Sequence, residues 1–209
     1  MDFDKDGNLL VITNTFGDGF EMDNVTGTDC IQKINPDTGK MLWSDTFPYQ
    51  KAGINAVSSQ IICRYYEDEA GVVHDEILAS VDNKAYSWQN KTGQRIAEVT
   101  VDGGIMNFMA AAKASYGYLA QNNGRLEIVS MEDGSKYEAS TVETGKQLTK
   151  AEIRNYSMVV SAYGSPDLSV FKYPDYSDAE VVETLENTIS DMEISPNETY
   201  YAVRVYDYD

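Results

Sequence analysis

Histidine and cysteine are almost missing from this sequence. His74 is the one histidine, and Cys30 and Cys63 are the two cysteines. A zinc centre needs about three or four His, Cys or carboxylate ligands held close together, so none is expected. A Ser-His-Asp or Cys-His site would have to use His74. That residue lies in the acidic stretch Val73-His74-Asp75-Glu76, with no nucleophile motif beside it. The cysteines form no CxxC pair and read as structural thiols, with a bridge between them left open. Basic residues are also scarce: 16 Lys and Arg against 34 Asp and Glu give a net charge of −18. Such a surface repels nucleic acid and anionic lipid, and it suits a basic protein partner or solubility alone. No run approaches the ~18 apolar residues of a membrane span. The first residues are acidic and polar, unlike a signal peptide, so the compartment is left open. No phosphate loop of the GxxxxGK[ST] type is present.

What is present is a core and a repeat. Hydrophobic residues make up 42% of the chain and fifteen are Tyr, too many for a disordered segment. Setting MDFDKDGNLLVI (1–12) over MEISPNETYYAV (192–203) needs no gap. Each copy reads as a short strand, a polar turn and an apolar strand. Weaker copies run from Asn107-Phe108 into Tyr118-Leu119-Ala120, and from Glu152-Ile153 into Met158-Val159-Val160. A degenerate one runs from Ala56-Val57 into Ile61-Ile62. The anchors Phe3, Val57, Phe108, Ile153 and Ile194 lie 54, 51, 45 and 41 residues apart.

A second marker alternates with the first. INPDTGKMLW (34–43), WQNKTGQRIA (88–97) and VSMEDGSKYE (129–138) each place a glycine in a turn between two strands. The fourth copy puts Pro174-Asp175-Tyr176-Ser177 in the turn instead. Each unit therefore yields four strands joined by hairpins. The second strands are apolar runs that predict burial on both faces. The last strands, Arg95–Thr100 and Ala179–Glu183, carry the charge that guards an exposed edge. Residues 62–78 read as an elongated hairpin with its turn near Glu69-Ala70-Gly71. In IMNFMAAAKAS (105–115) the apolar spacing favours helix, while the surrounding repeat places a strand there.

This outline resembles a bacterial β-propeller of the WD-repeat or quinoprotein-like (PQQ-like repeat) superfamily. The turns DKDG and SPNE look like the inner turn of bacterial WD-like repeats, and PDTGKMLW looks like a quinoprotein-like blade motif. In that family Thr and Gly close the hairpin, and a Trp after the Gly packs on the neighbouring blade. Thr38, Gly39 and Trp43 match; the second copy keeps Thr92 and Gly93 but has Ala97 in place of Trp; the third keeps Gly134. The resemblance implies an all-β fold of about four four-stranded antiparallel blades plus the start of a fifth, where whole propellers have about four to eight. The expected blades are 1–50, 51–103, 104–146, 147–190 and an incomplete 191–209. The chain is then a fragment of a larger propeller.

Candidate sites are few. Asp2, Asp4 and Asp6, with Gly7, match the opening of an EF-hand loop, making them a weak cation candidate. The bidentate acid at the twelfth position is missing, since Thr13 stands there. The copy at 192–203 puts Ser195 and Asn197 where Asp4 and Asp6 stand, so a turn is expected. Neighbouring acids such as Glu67-Asp68-Glu69 follow from the composition alone. Four Asn-x-Ser/Thr triplets, at Asn24, Asn90, Asn155 and Asn197, coincide with turn-type sequence. The resemblance extends to quinoprotein enzymes, but those hold a calcium and often a disulfide between adjacent cysteines, which Cys30 and Cys63 are not. No catalytic residue, cofactor or metal is therefore expected. The leading expectation is a non-catalytic binding module or scaffold presenting blade-edge loops to a protein. The insertion at 66–75 and the loop Phe16–Asp23 are the candidate loops. The alternative is a sensor domain holding a small molecule in the propeller channel; a quinoprotein-like enzyme ranks third.

Overall fold

A computed structural model describes residues 1–16, 26–50, 59–68, 70–111, 115–136, 142–143, 145, 147–153, 157–162, 165–172, 179–185 and 187–205. Every regular element among them is a strand. The first sheet holds β1 (Asp2–Phe3), β2 (Leu9–Phe16), β3 (Thr26–Ile34) and β4 (Met41–Gln50). The second holds β5 (Gln60–Glu67), β6 (Val73–Val81), β7 (Lys84–Gln89) and β8 (Arg95–Thr100). The third holds β9 (Ile105–Ala110), β10 (Tyr116–Gln121), β11 (Arg125–Ser130) and β12 (Val142–Glu143). The fourth holds β13 (Leu148–Ile153), β14 (Ser157–Ala162), β15 (Asp167–Lys172) and β16 (Ala179–Thr184). β17 (Ile189–Ile194) and β18 (Tyr201–Val205) form a two-stranded sheet. Neighbours in each sheet are antiparallel and follow chain order, as hairpins require.

The sheets stack face to face through four apolar layers. Between the first and second lie Leu10, Ile31, Phe47, Ile77, Tyr86 and Trp88. Between the second and third lie Leu78, Val99, Phe108 and Leu119. The third and fourth meet at Tyr118, Ile128, Leu148 and Val160, and the fourth meets the last pair at Val159, Val170, Met192 and Ile194. On β6, Ile77 and Ala79 join one layer while Leu78 joins the next. Alternate side chains point to opposite faces, and both faces are covered, which accounts for the unbroken apolar runs. The outer β8 alternates buried Ala97 and Val99 with exposed Ile96 and Glu98.

The expected copy at Ala56-Val57 falls outside the described residues. Its continuation, Ile61-Ile62, is corrected: it belongs to β5, the first strand of the second sheet. The long hairpin is therefore the β5–β6 pair itself, in register from Gln60↔Ser80 to Glu67↔Val73. Residues 105–110 are strand, and a bulge explains the helix-like spacing. The β9–β10 register shifts next to Gln121, which brings Ile105 and Phe108, three residues apart, into one layer. The same shift in β13 groups Leu148 with Ala151, and in β17 it groups Ile189 with Met192.

Candidate functional site

The β1–β2, β3–β4, β5–β6 and β7–β8 turns lie at one end of the sheets, because each follows a strand running the same way. Two designs recur there. In the first, Asp4 Oδ1 accepts the backbone N–H groups of Asp6 (3.0 Å) and Asn8 (2.7 Å), and the Gly7 N–H reaches the Asp4 carbonyl. Asp68 repeats this with Ala70 and Val72, closed by Gly71. Gly7 and Gly71 hold φ of 78° and 79°, the left-handed region that glycine enters without strain. Ser195 caps the third copy through Thr199 and Tyr200, and there Glu198 takes the positive φ, at 56°. The kinship of Asp68-x-x-Gly71 with Asp4-x-x-Gly7 was legible in the sequence as a DxxG spacing, but the longer strands around it hid it.

The second design is the glycine hairpin. Gly39 N–H donates to Asn35 O, Gly93 to Gln89 O and Gly134 to Ser130 O, and all three glycines have positive φ. The Thr38 hydroxyl accepts from the Lys40 N–H, and the Thr92 hydroxyl from the Gln94 N–H. In the third hairpin Asp133 takes over, accepting from the Ser135 N–H. The fourth hairpin, Pro174 to Ser177, lies outside the described residues. So does most of the candidate loop Phe16–Asp23. Trp43 crosses to the second sheet: its indole N–H donates to the Asn90 carbonyl at 2.8 Å, and its ring covers Gly93. It is half-buried, not sealed. Where Ala97 stands in place of a Trp, the Gly134 turn rests on the β8 backbone at Glu98.

The seam between the first two sheets carries a charge network that sequence reasoning missed. The Lys33 ammonium is buried and donates to Asp4 Oδ2 (2.7 Å), Asn90 Oδ1 (2.8 Å) and Asn90 O (3.2 Å). Those three acceptors use all of its protons. Burial pushes the Asp4 carboxyl up. Hydrogen bonds from Lys33 and from the Asn8 backbone and side chain, with the Lys33 charge, outweigh that and hold it at about 2. Asn90 also donates to Asp75 Oδ1 at 2.7 Å. Nearby, Arg64 pairs with Glu76 at 3.1 Å, donates to the Ala111 carbonyl and stacks 4.3 Å over Tyr66. The signal for Lys33 was its inward place in β3, two residues after the buried Ile31.

The three acids of the cation candidate are sent to different partners. Asp2 accepts from the N–H groups of Phe3 and Cys63, Asp4 takes Lys33, and exposed Asp6 meets Lys5 at 2.9 Å. Asp4 is thus more than a turn residue, and the copy with Ser195 does not make it replaceable. Among the described residues no group of three or more His, Cys, Asp and Glu is placed to hold a metal ion. No described helix is long and apolar enough to cross a membrane. His74 Nε2 sits 3.0 Å from Asp68 Oδ2 and its ring stacks on Tyr66. Both cysteines are free, and burial, with Asp2 beside it, pushes the Cys63 thiol up to about 12. A shallow cleft of about 260 Å³ opens above the network, lined by Phe3, Lys5, Arg64, Tyr65, Asp75 and Asn90.

Solved structures with this arrangement of sheets exist. Hsv2 from Kluyveromyces lactis superposes with a TM-score of 0.56 at 14% identity, over 91% of this chain and 57% of that one. The β-propeller domain of Cps50 (Swd1) from Myceliophteria thermophila superposes at 0.54 and 10% identity, over 94% of this chain and 66% of that one. The fold is a β-propeller. The likeness at these identities is one of fold. No protein-family model matches the sequence, and no curated protein matches it. The chain spans between about half and two thirds of the propellers it resembles. Among the described residues, four four-stranded sheets and one two-stranded sheet do not close a ring, consistent with an incomplete propeller.

Proposed function

We propose that this propeller is a non-catalytic module that binds a protein through the face carrying the β1–β2, β3–β4, β5–β6 and β7–β8 turns. The observation that carries the reading is the seam at that face. Lys33, Asn90, Asp4 and Trp43 fix the turns of two sheets against each other, so the surface between them is preformed. Preformed surfaces bind without a large ordering cost. The blade divisions 1–50, 51–103, 104–146, 147–190 and 191–209 are taken as the units of this module. Within the superfamily, the resemblance to WD-repeat propellers suits the reading better than the one to quinoprotein enzymes. His74 is engaged by Tyr66 and Asp68, and a thiol raised like that of Cys63 is a poor nucleophile.

The test is site-specific photo-crosslinking in the native host. The crosslinker goes at Asp37 and Ala70, exposed on the turn-bearing face, and at Asn123, exposed at the other end of the sheets. A discrete protein adduct from Asp37 and Ala70, absent from Asn123, is expected. Adducts from Asn123 alone, or none from any position, would overturn the assignment of the face.

A further inference from the structure

Tyr65 and Phe3 are each 59% exposed, and both line the cleft between the first two sheets. A cation already sits there. The Lys5 ammonium lies 5.3 Å from the centre of the Tyr65 ring and 3.8 Å from Asp75 Oδ2. Both distances are near the outer limit of such contacts. Its close partner is Asp6, at 2.9 Å, on the exposed turn beside it. Lys5 is therefore held by its neighbour in sequence and only approaches the ring and the carboxylate.

The rest of the cleft is built for a positive charge. Asp75 is aimed by Asn90, whose own amide is clamped between Asp75, Lys33 and Asp4. The two cations in the floor carry no spare charge to repel a guest. Lys33 is balanced by Asp4, and Arg64 by Glu76. That leaves Lys5 against Asp6 and Asp75, a local excess of one negative charge, on a chain of net charge −18. An aromatic face beside an oriented carboxylate attracts an ammonium or guanidinium.

We propose that this cleft receives a lysine or arginine side chain from a basic segment of a partner protein, displacing Lys5 from Tyr65 and Asp75. The proposal rests on the protein-binding reading above and adds the chemistry of the partner. Lys5 then acts as an internal competitor. It stays paired with Asp6 and moves off the ring as the guest enters, and the face of Tyr65 and one oxygen of Asp75 pass to the incoming cation. Phe3 covers the aliphatic stem of the guest.

The experiment is fluorescence anisotropy with a labelled peptide of alternating arginine and serine, at near-physiological salt. The control peptide has citrulline in place of arginine. Thermal melts confirm that each variant is folded. Tyr65→Leu and Asp75→Asn each weaken binding about fivefold, while Tyr65→Phe, which keeps the ring face, preserves it. Lys5→Gln tightens binding about threefold by removing the competitor, and Lys84→Gln, the same charge change at a distant ion pair, does not. Three results would overturn the proposal. One is equal weakening by Asp75→Asn and by the distant Asp133→Asn, which marks diffuse charge attraction. Another is indifference to Tyr65→Leu. The last is equal binding of the citrulline peptide. A photo-crosslinked partner whose capture survives Tyr65→Leu and Asp75→Asn would overturn the cleft and leave the binding face standing.

Discussion

Trp43 lies flat on Gly93 across the seam between the first two sheets. A Cβ built on that glycine would stand 2.6 Å from the indole ring, and the Trp43 N–H meets the Asn90 carbonyl at 2.8 Å. Gly39, in the equivalent turn of the first sheet, has a similar φ and open space around it. The pair separates two costs that a glycine substitution usually mixes.

Gly39→Ala carries the left-handed strain alone, about 1–2 kcal/mol. Gly93→Ala adds overpacking against Trp43, for a total of about 2–5 kcal/mol. In a Trp43→Ala background the second loss should fall to the size of the first. Urea denaturation of the four chains gives the coupling; equal losses in both backgrounds would show that the ring does not bear on the turn.

Replacing Lys33 by Met should cost about 3–5 kcal/mol, because it leaves the Asp4 carboxylate buried without its cation. Adding Asp4→Asn should recover much of that loss. The same network predicts that Asp4→Ser with Asp6→Asn, which copies the turn at 195–198, is strongly destabilising. Denaturation midpoints of the single and double variants decide the matter.

Much of the fold was legible in the sequence, and the reasons are local. Gly39, Gly93 and Gly134 sit where hairpins need positive φ, and the apolar runs of β6 and β14 mark strands covered on both sides, whereas β2 is covered on the Leu10 and Ile12 face, with Leu9 and Val11 half-buried on the other. The first strand of the second sheet was misplaced, because the Asp68-x-x-Gly71 turn, spaced like the one at Asp4, lies far out on a long hairpin. The i, i+3 spacing of Ile105 and Phe108 imitated a helix because a bulge shifts the strand by one residue. Of the site, Trp43 and its turn were legible. Lys33, Asn90 and Asp75 were not, since each pairs with a residue distant in sequence, and the motif that holds Asn90 marks a turn and not its partners across the seam.

Two buried carboxyls should give the protein opposing pH responses. Asp4 is held at about 2, below its ordinary 3.8, so its stabilisation is present above that value and is lost as pH falls toward 2. Asp29 is raised to about 6, first by burial and then by the charge of Asp82. It binds a proton more tightly when folded, so its contribution is full below 3.8 and is lost as pH rises through 6. Asp29→Asn should therefore stabilise by about 2–3 kcal/mol at pH ~7 and by little near pH ~4. Melting temperatures of both forms at the two pH values test this; an equal shift at each would contradict it.

Glu198 occupies the φ of 56° that Gly7 and Gly71 fill in the sister turns. Glu198→Gly should relieve about 1 kcal/mol of strain, less some entropy gained by the unfolded chain. Gly7→Ala should lose about as much. Thermal denaturation of the two variants should move in opposite directions; a fall in both would show that Glu198 makes contacts worth more than the strain it carries.

Hydrogen exchange measured with and without the arginine-serine peptide tests the binding face most directly. The account predicts slower exchange in 1–8 and 60–68, and in 70–76 and 89–94, with β11 and the β17–β18 pair unchanged. Protection confined to the opposite turns, at 82–83 and 122–124, or to β17–β18, would contradict it.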